Sequence, residues 1–229
     1  MPVITRIETS PDLVEQVRTR LLDAICDGSL EAGARLTQEE LAETLNVSRQ
    51  PVLQALRILK HDGFVMDTGR RGLVVAPLEA AMIGRIYEVR SVLDGLAARL
   101  AAERGAAIDI AVVEAGRKAA RGGQLAAMID ADMAFHQAIY DASGNPLIFE
   151  SAGRHWQHIR RAMGAVLRSL GSRAVVWDEH AAIMKAINAG DAARAEHLAR
   201  GHGEQAGRNL AAKLEQHTSP TKLQSGGKK

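Results

Sequence analysis

From Leu78 onward the chain carries an almost unbroken helical periodicity, interrupted only at Gly105, Gly122-Gly123, Ser143-Gly144-Asn145-Pro146, Gly171 and Gly190-Asp191. Glycine and proline end helices, so these breaks predict helices at about 79–104, 108–120, 123–142, 146–170, 174–189 and 191–215. No convincing strand lies between them. A segment of this kind buries its apolar stripes only by packing helix on helix, which makes it an all-α antiparallel helical bundle. Aromatic residues are only 3% of the 229, a balance that also disfavours a β-sandwich or barrel. His217 to Lys229 is polar, rich in glycine and lysine, and has no apolar period, so 217–229 is expected to be a disordered tail and 78–216 the helical domain.

The first 77 residues read differently. Leu13, Val14, Val17, Leu21, Leu22 and Ile25 make one helical stripe that stops at Asp27-Gly28. Thr37-Gln38-Glu39-Glu40 has capping-box form, with Thr37 placed to accept a backbone N–H and Glu40 to reach back, and opens a short helix through Leu45. After the Asn46-Val47 turn, Ser48 can cap a third helix whose inner face is Val52, Ala55, Leu56 and Leu59, with Pro51 tolerated in the first turn. Phe64-Val65-Met66 and Leu73-Val74-Val75 flank a glycine-containing loop, the pattern of a hairpin. Two short helices across a tight turn followed by a hairpin are a winged helix-turn-helix, expected at 1–77.

Net charge is +2, too small to announce nucleic acid by itself. The positive charge is local instead: Arg49, Arg57, Lys60, Arg70 and Arg71 stand against only Asp62 and Asp67 between Arg49 and Arg71. On the third helix Arg49, Gln50, Leu53, Gln54 and Arg57 fall opposite the apolar face. Arginine can fork onto guanine and glutamine onto adenine, whereas Thr37, Ser48, Arg70 and Arg71 suit phosphate. By spacing alone the same face is equally a solvated surface with incidental arginines. The single cysteine, Cys26, excludes an internal disulfide and suits a reducing compartment. No apolar run approaches the roughly 18 residues of a membrane span, and Met1 to Ser10 lacks signal-peptide character, so a cytoplasmic protein without membrane contact is expected.

Leu30-Glu31-Ala32-Gly33-Ala34-Arg35-Leu36, Leu41 to Val52, and Ala55-Leu56-Arg57-Ile58-Leu59 resemble the GntR family of transcription regulators. The resemblance covers residues 12 to 77 and implies DNA contacts for Arg49, Arg70 and Arg71. The chain departs from the family pattern at Leu53, commonly arginine, and at Glu39, often basic. Those two positions put operator sequence and affinity in question.

In the second domain Asp132 and His136 are four apart, placing a carboxylate and an imidazole on one helical face; His180 and His202 lie on later helices, and a bundle can bring all four together. Spacing alone reads as well as a surface Asp–His pair. Asp132 to Ile139, Ser143-Gly144-Asn145-Pro146, and Glu179-His180 before Ile187-Asn188-Ala189-Gly190-Asp191 resemble the FCD effector-binding domain of the FadR-type branch. That resemblance implies a divalent metal ion on Asp132, His136, His180 and His202, as in the metal-binding subgroup, with zinc first and nickel, manganese or iron as alternatives. It also implies a pocket-facing role for Arg90, able to fork onto an organic anion, where the plain reading is a surface arginine paired with Asp94. His155 and His158, with Arg160 and Arg161, either line the pocket or sit on a solvated face.

The function expected is a ligand-responsive DNA-binding regulator rather than an enzyme: a homodimeric repressor on double-stranded operator DNA, released by a small organic acid bound at the metal. Two other classes remain. A metal-dependent hydrolase-like enzyme would use an open Asp/His site with Glu179 or Glu204 as base, though no HExxH or nucleophile-elbow motif is present. A protein-interaction adaptor would use the winged unit only structurally. Both predict no sequence-specific footprint on DNA.

Overall fold

The structure, a computed structural model, describes residues 13–69, 72–167 and 174–218. They fall into two compact units that meet in sequence at Pro77 and Leu78. In the first, α1 (Leu13–Asp27) buries Val17, Leu21, Leu22, Ile25 and Cys26, and the chain then turns at Gly28 with φ 84. A strand β1 (Arg35–Leu36) leads into α2 (Gln38–Thr44) and α3 (Arg49–His61). Asn46, at φ 51, makes the turn between α2 and α3; asparagine tolerates the left-handed region better than other residues with a side chain. Val52, Ala55, Leu56 and Leu59 are wholly buried on the inner face of α3, as their period requires.

Thr37 caps α2 by accepting from Glu40 N, while the Glu40 carboxylate accepts from the Thr37 hydroxyl at 2.5 Å rather than reaching the backbone. Ser48 stands at the N-cap of α3, yet its side chain makes no capping bond, contrary to expectation. With φ −70 and ψ 165 it ends the preceding extended turn and leaves its hydroxyl uncommitted to the first-turn amides.

β2 (Val65–Asp67) and β3 (Leu73–Val75) form the expected hairpin, closed at its loop by Thr68 N–H donating to Gly72 O at 3.0 Å. β1 adds to the far side of β3, pairing Arg35 with Val74 and Leu36 with Leu73, so the sheet has antiparallel order β1-β3-β2. Arg70 and Arg71, expected at the wing tip, lie outside the described residues.

The second unit is helical throughout its described residues: α4 (Ala80–Glu103), α5 (Ile110–Gly122), α6 (Leu125–Ser143), α7 (Pro146–Leu167), α8 (Ala174–Asn188) and α9 (Ala192–Thr218). The last helix continues two residues past the expected domain end at 216; the rest of the expected tail, 219–229, lies outside the described residues.

Close approach of α4 and α9 positions the site. A Cβ placed on Gly207 would stand 2.5 Å from Tyr87 Cβ, one on Gly203 3.1 Å from Ser91 Cα, and one on Gly95 3.2 Å from Arg200 Cβ. The first distance excludes any Cβ and the other two would need the facing atoms to give by a few tenths of an ångström, so the two helices touch nearly backbone to backbone. Gly116 plays the same part for α5, since its missing Cβ makes room for the indole of Trp177 on α8.

Candidate functional site

Three helices deliver the imidazoles. His136 on α6 and His180 on α8 are buried, and His202 on α9 is half-buried; ring nitrogens of the three lie within 4.8 Å of one another. His180 Nε2 and His202 Nε2 are 3.1 Å apart, and Asp132 Oδ1 is 3.9 Å from His180 Nε2. His180 is held by rings on two sides. Phe135 stacks on it with centroids 4.0 Å apart, and Trp177 meets it edge-on at 4.7 Å. Such packing leaves the ring one orientation.

Carboxylates outside the expected set stand beside the other two rings. Glu179 Oε2 lies 2.7 Å from His202 Nδ1. The His202 contact holds Glu179 below the usual carboxylate range, so Glu179 is ionised and can only accept, and Nδ1 must be the donor. His202 in its neutral form therefore presents a lone pair at Nε2. Asp94 Oδ2 lies 3.7 Å from His136 Nδ1. Burial, followed by the charge of Arg90, lowers His136, keeping it neutral and fit to bind a metal.

Arg90 and Asp94 form an ion pair, Nε to Oδ2 at 3.5 Å, with side chains only 5% and 3% exposed. The plain surface reading of this pair is thus corrected: the close α4–α9 seam covers it. Burial alone would raise Asp94, but Arg90 foremost, then His136 and Tyr140, hold it well below the ordinary range. The Tyr140 hydroxyl donates to Asp94 Oδ1, and burial, reinforced by the Asp94 charge, raises its own pKa. Arg90 Nη2 is buried with no hydrogen-bond partner among the described residues. A buried guanidinium N–H in that state is costly unless an anion reaches it.

Arg90, Asp132, His136 and His202 line one cavity of about 440 Å³, which also takes in Glu179, Asn209 and Lys213. Three ring nitrogens within 4.8 Å of one another, with the Asp132 carboxylate 3.9 Å from His180, suit a divalent transition metal by donor chemistry, so the residues present fit such an ion. His155 is exposed and His158 buried, and neither lines this cavity, nor do Arg160 and Arg161. Asp94 and Glu179 carried only the signal of helical spacing and adjacency; Tyr140 and Lys213 carried none.

In the first unit Arg49, Gln50 and Arg57 are exposed on α3, Gln54 and Thr37 are half-buried, and Ser48 is exposed. Arg49 is ion-paired with Glu39 of α2, both side chains being largely exposed. Lys60 reaches Asp67 on β2 at 2.5 Å, tying α3 to the hairpin.

The model of the gntR family of bacterial regulatory proteins matches residues 13–75, and that of the FCD domain matches residues 85–205. The chain belongs to the gntR family and carries an FCD domain. The gntR model is one of bacterial regulatory proteins, and the relatives that the chain matches are named as transcriptional regulators. The probable D-xylose utilization operon transcriptional repressor of Paenarthrobacter nicotinovorans is 28% identical over 200 residues, covering 85% of this chain and 87% of that protein. The Bacillus subtilis regulator YdhC is 28% identical over 135 residues, 57% of this chain and 60% of that protein, so the similarity spans less than two thirds of this relative. McbR/YncC of E. coli has the same fold, with a TM-score of 0.72 at 24% identity over 92% of this chain and 100% of that one. Among the described residues no helix is long and apolar enough to cross a membrane.

Proposed function

We propose that the chain is a cytoplasmic, homodimeric repressor that leaves its operator when a small carboxylated metabolite enters the cavity of the helical domain. The observation that carries this reading is the buried Arg90 Nη2, lacking a partner among the described residues, in the wall that also holds His136, His202 and Asp132. Repression is supported by the name of the Paenarthrobacter relative.

Asp132, His136, His180 and His202 would hold a divalent ion, which supplies open positions for a carboxylate oxygen. Arg90 contributes a fixed N–H for the same carboxylate, Asp94 and Tyr140 keep the guanidinium in place, and Glu179 sets the His202 tautomer. In the winged domain of residues 1–77, Arg49, Gln50, Gln54 and Arg57 face base edges, while Thr37, Ser48, Arg70 and Arg71 take phosphates. Two heads on an inverted repeat give the affinity that one lacks. Ligand binding favours one arrangement of the domain spanning 78–216 and thereby changes how the heads meet DNA.

Gel shift on the chain's own upstream region, with metal present and organic acids added in turn, tests the whole reading. Specific retardation relieved by an acid is expected. Retardation indifferent to every acid, or no preference over random duplex, refutes it.

A further inference from the structure

Beyond the carboxylate wall the cavity continues along α9, whose residues His202, Asn209 and Lys213 all line it. At about 100° per residue, positions seven and eleven beyond His202 return to within roughly 20° of its bearing, so the three form one row up the helix. The rise from His202 to Lys213 is about 16 Å. Both side chains lean back toward the N-terminus, lysine the further because it is longer, which sets the Lys213 ammonium roughly 14 Å from the imidazole of His202.

The wall also takes in the apolar side chains of Met163, Val166, Val176 and Leu210. The other charged groups of the wall have partners inside the protein: Arg90 has Asp94 at 3.5 Å, Glu179 has His202 at 2.7 Å, and Asp132 lies 3.9 Å from His180. Lys213 has no ion-pair partner among the described residues and is half-buried at the far end. Beside it Asn209 offers an amide donor.

We propose that the cavity takes an elongated anion with two carboxylates, one at Arg90 and the histidines and the other at Lys213 and Asn209, joined by an unbranched apolar chain. The inference rests on reading this cavity as the effector site and specifies its ligand class. Each carboxyl carbon stands about 3.5 Å from the nitrogen it faces, so a gap of roughly 14 Å leaves about 7 Å between the carboxyl carbons, roughly six bonds at about 1.2 Å each. Hexanedioate and octanedioate bracket that length, and a cavity of about 440 Å³ lies within the range of small-molecule pockets.

Calorimetric titration of the full, metal-loaded chain with hexanedioate, octanedioate, octanoate and butanedioate tests this. The longer diacids should bind about tenfold or more tightly than octanoate, the gain of one charge-assisted contact. Lys213→Met should bring the diacids down to the affinity of octanoate while leaving octanoate and the melting temperature unchanged. Equal binding of mono- and diacids by the native chain, or a Lys213→Met loss shared by octanoate, overturns the two-ended ligand and leaves the effector site standing. Failure of every acid to bind overturns the effector reading and the ligand class with it.

Discussion

Replacing Glu39 by glutamine should tighten operator binding, because Glu39 holds Arg49, the arginine proposed to meet DNA. The Arg49–Glu39 pair spans the helix-turn-helix with side chains 66% and 73% exposed. An exposed pair of this kind contributes about 0.2–1 kcal/mol, which any DNA contact by Arg49 must first overcome. Removing it should tighten binding by a factor of about 1.4 to 5 per head at 25 °C, and by the square, about 2- to 30-fold, where two heads engage one site. Glutamine keeps the size of the side chain and removes the charge that also repels phosphate. Gel shift at about 0.1 M salt, where exposed charges are screened beyond roughly 10 Å, compares the native chain, Glu39→Gln, Arg49→Ala and the double variant. Arg49→Ala should weaken binding, and the benefit of Glu39→Gln should shrink in its background because the two effects share one contact. Unchanged or weaker binding by Glu39→Gln alone, or a full benefit without Arg49, refutes the competition.

His136→Ala combined with His180→Ala should abolish bound metal; elemental analysis of the purified chain reads this directly, and retention at one ion per chain would dismiss the ligand set. Asp94→Asn leaves a buried guanidinium without its counter-charge, a change worth about 3–5 kcal/mol, and the melting temperature should fall by roughly 10 °C. A fall of a degree or two would mean Arg90 finds another anion. Gly207→Ala drives a methyl toward Tyr87 and should cost about 1–3 kcal/mol in thermal unfolding. Gly84→Ala on α4 meets open space and should gain up to about 1 kcal/mol from helix propensity.

Local chemistry was legible in the residues where it depends on neighbours in the chain. Glycine and proline breaks marked the described helix ends to within three positions, and the expected end of α7 at 170 lies outside the described residues. The period of α3 named its buried face correctly. β1 was invisible because two residues carry no alternation, and its partner β3 lies far along the chain. Ser48 was the right residue type at the right place, but capping depends on a rotamer that no sequence displays. Asp132 and His136 could be paired by helical spacing, whereas His180 and His202 came from the family resemblance, since the packing that brings them near spans three helices. Arg90 and Asp94 look the same whether they face water or a neighbour, and what hides them is a helix more than a hundred positions later. Lys213 had no signature at all until α9 gave it a row to belong to.

The glycines at 95, 203 and 207 carry a mechanical consequence. Most helix pairs are separated by side chains that change rotamer and so soak up small displacements. Here the two longest rods of the second unit, α4 and α9, bear on each other with no such cushion, and one holds Arg90 while the other holds His202 and Lys213. A molecule that draws these groups together has no slack to take up first, and its pull is passed on as movement of whole rods.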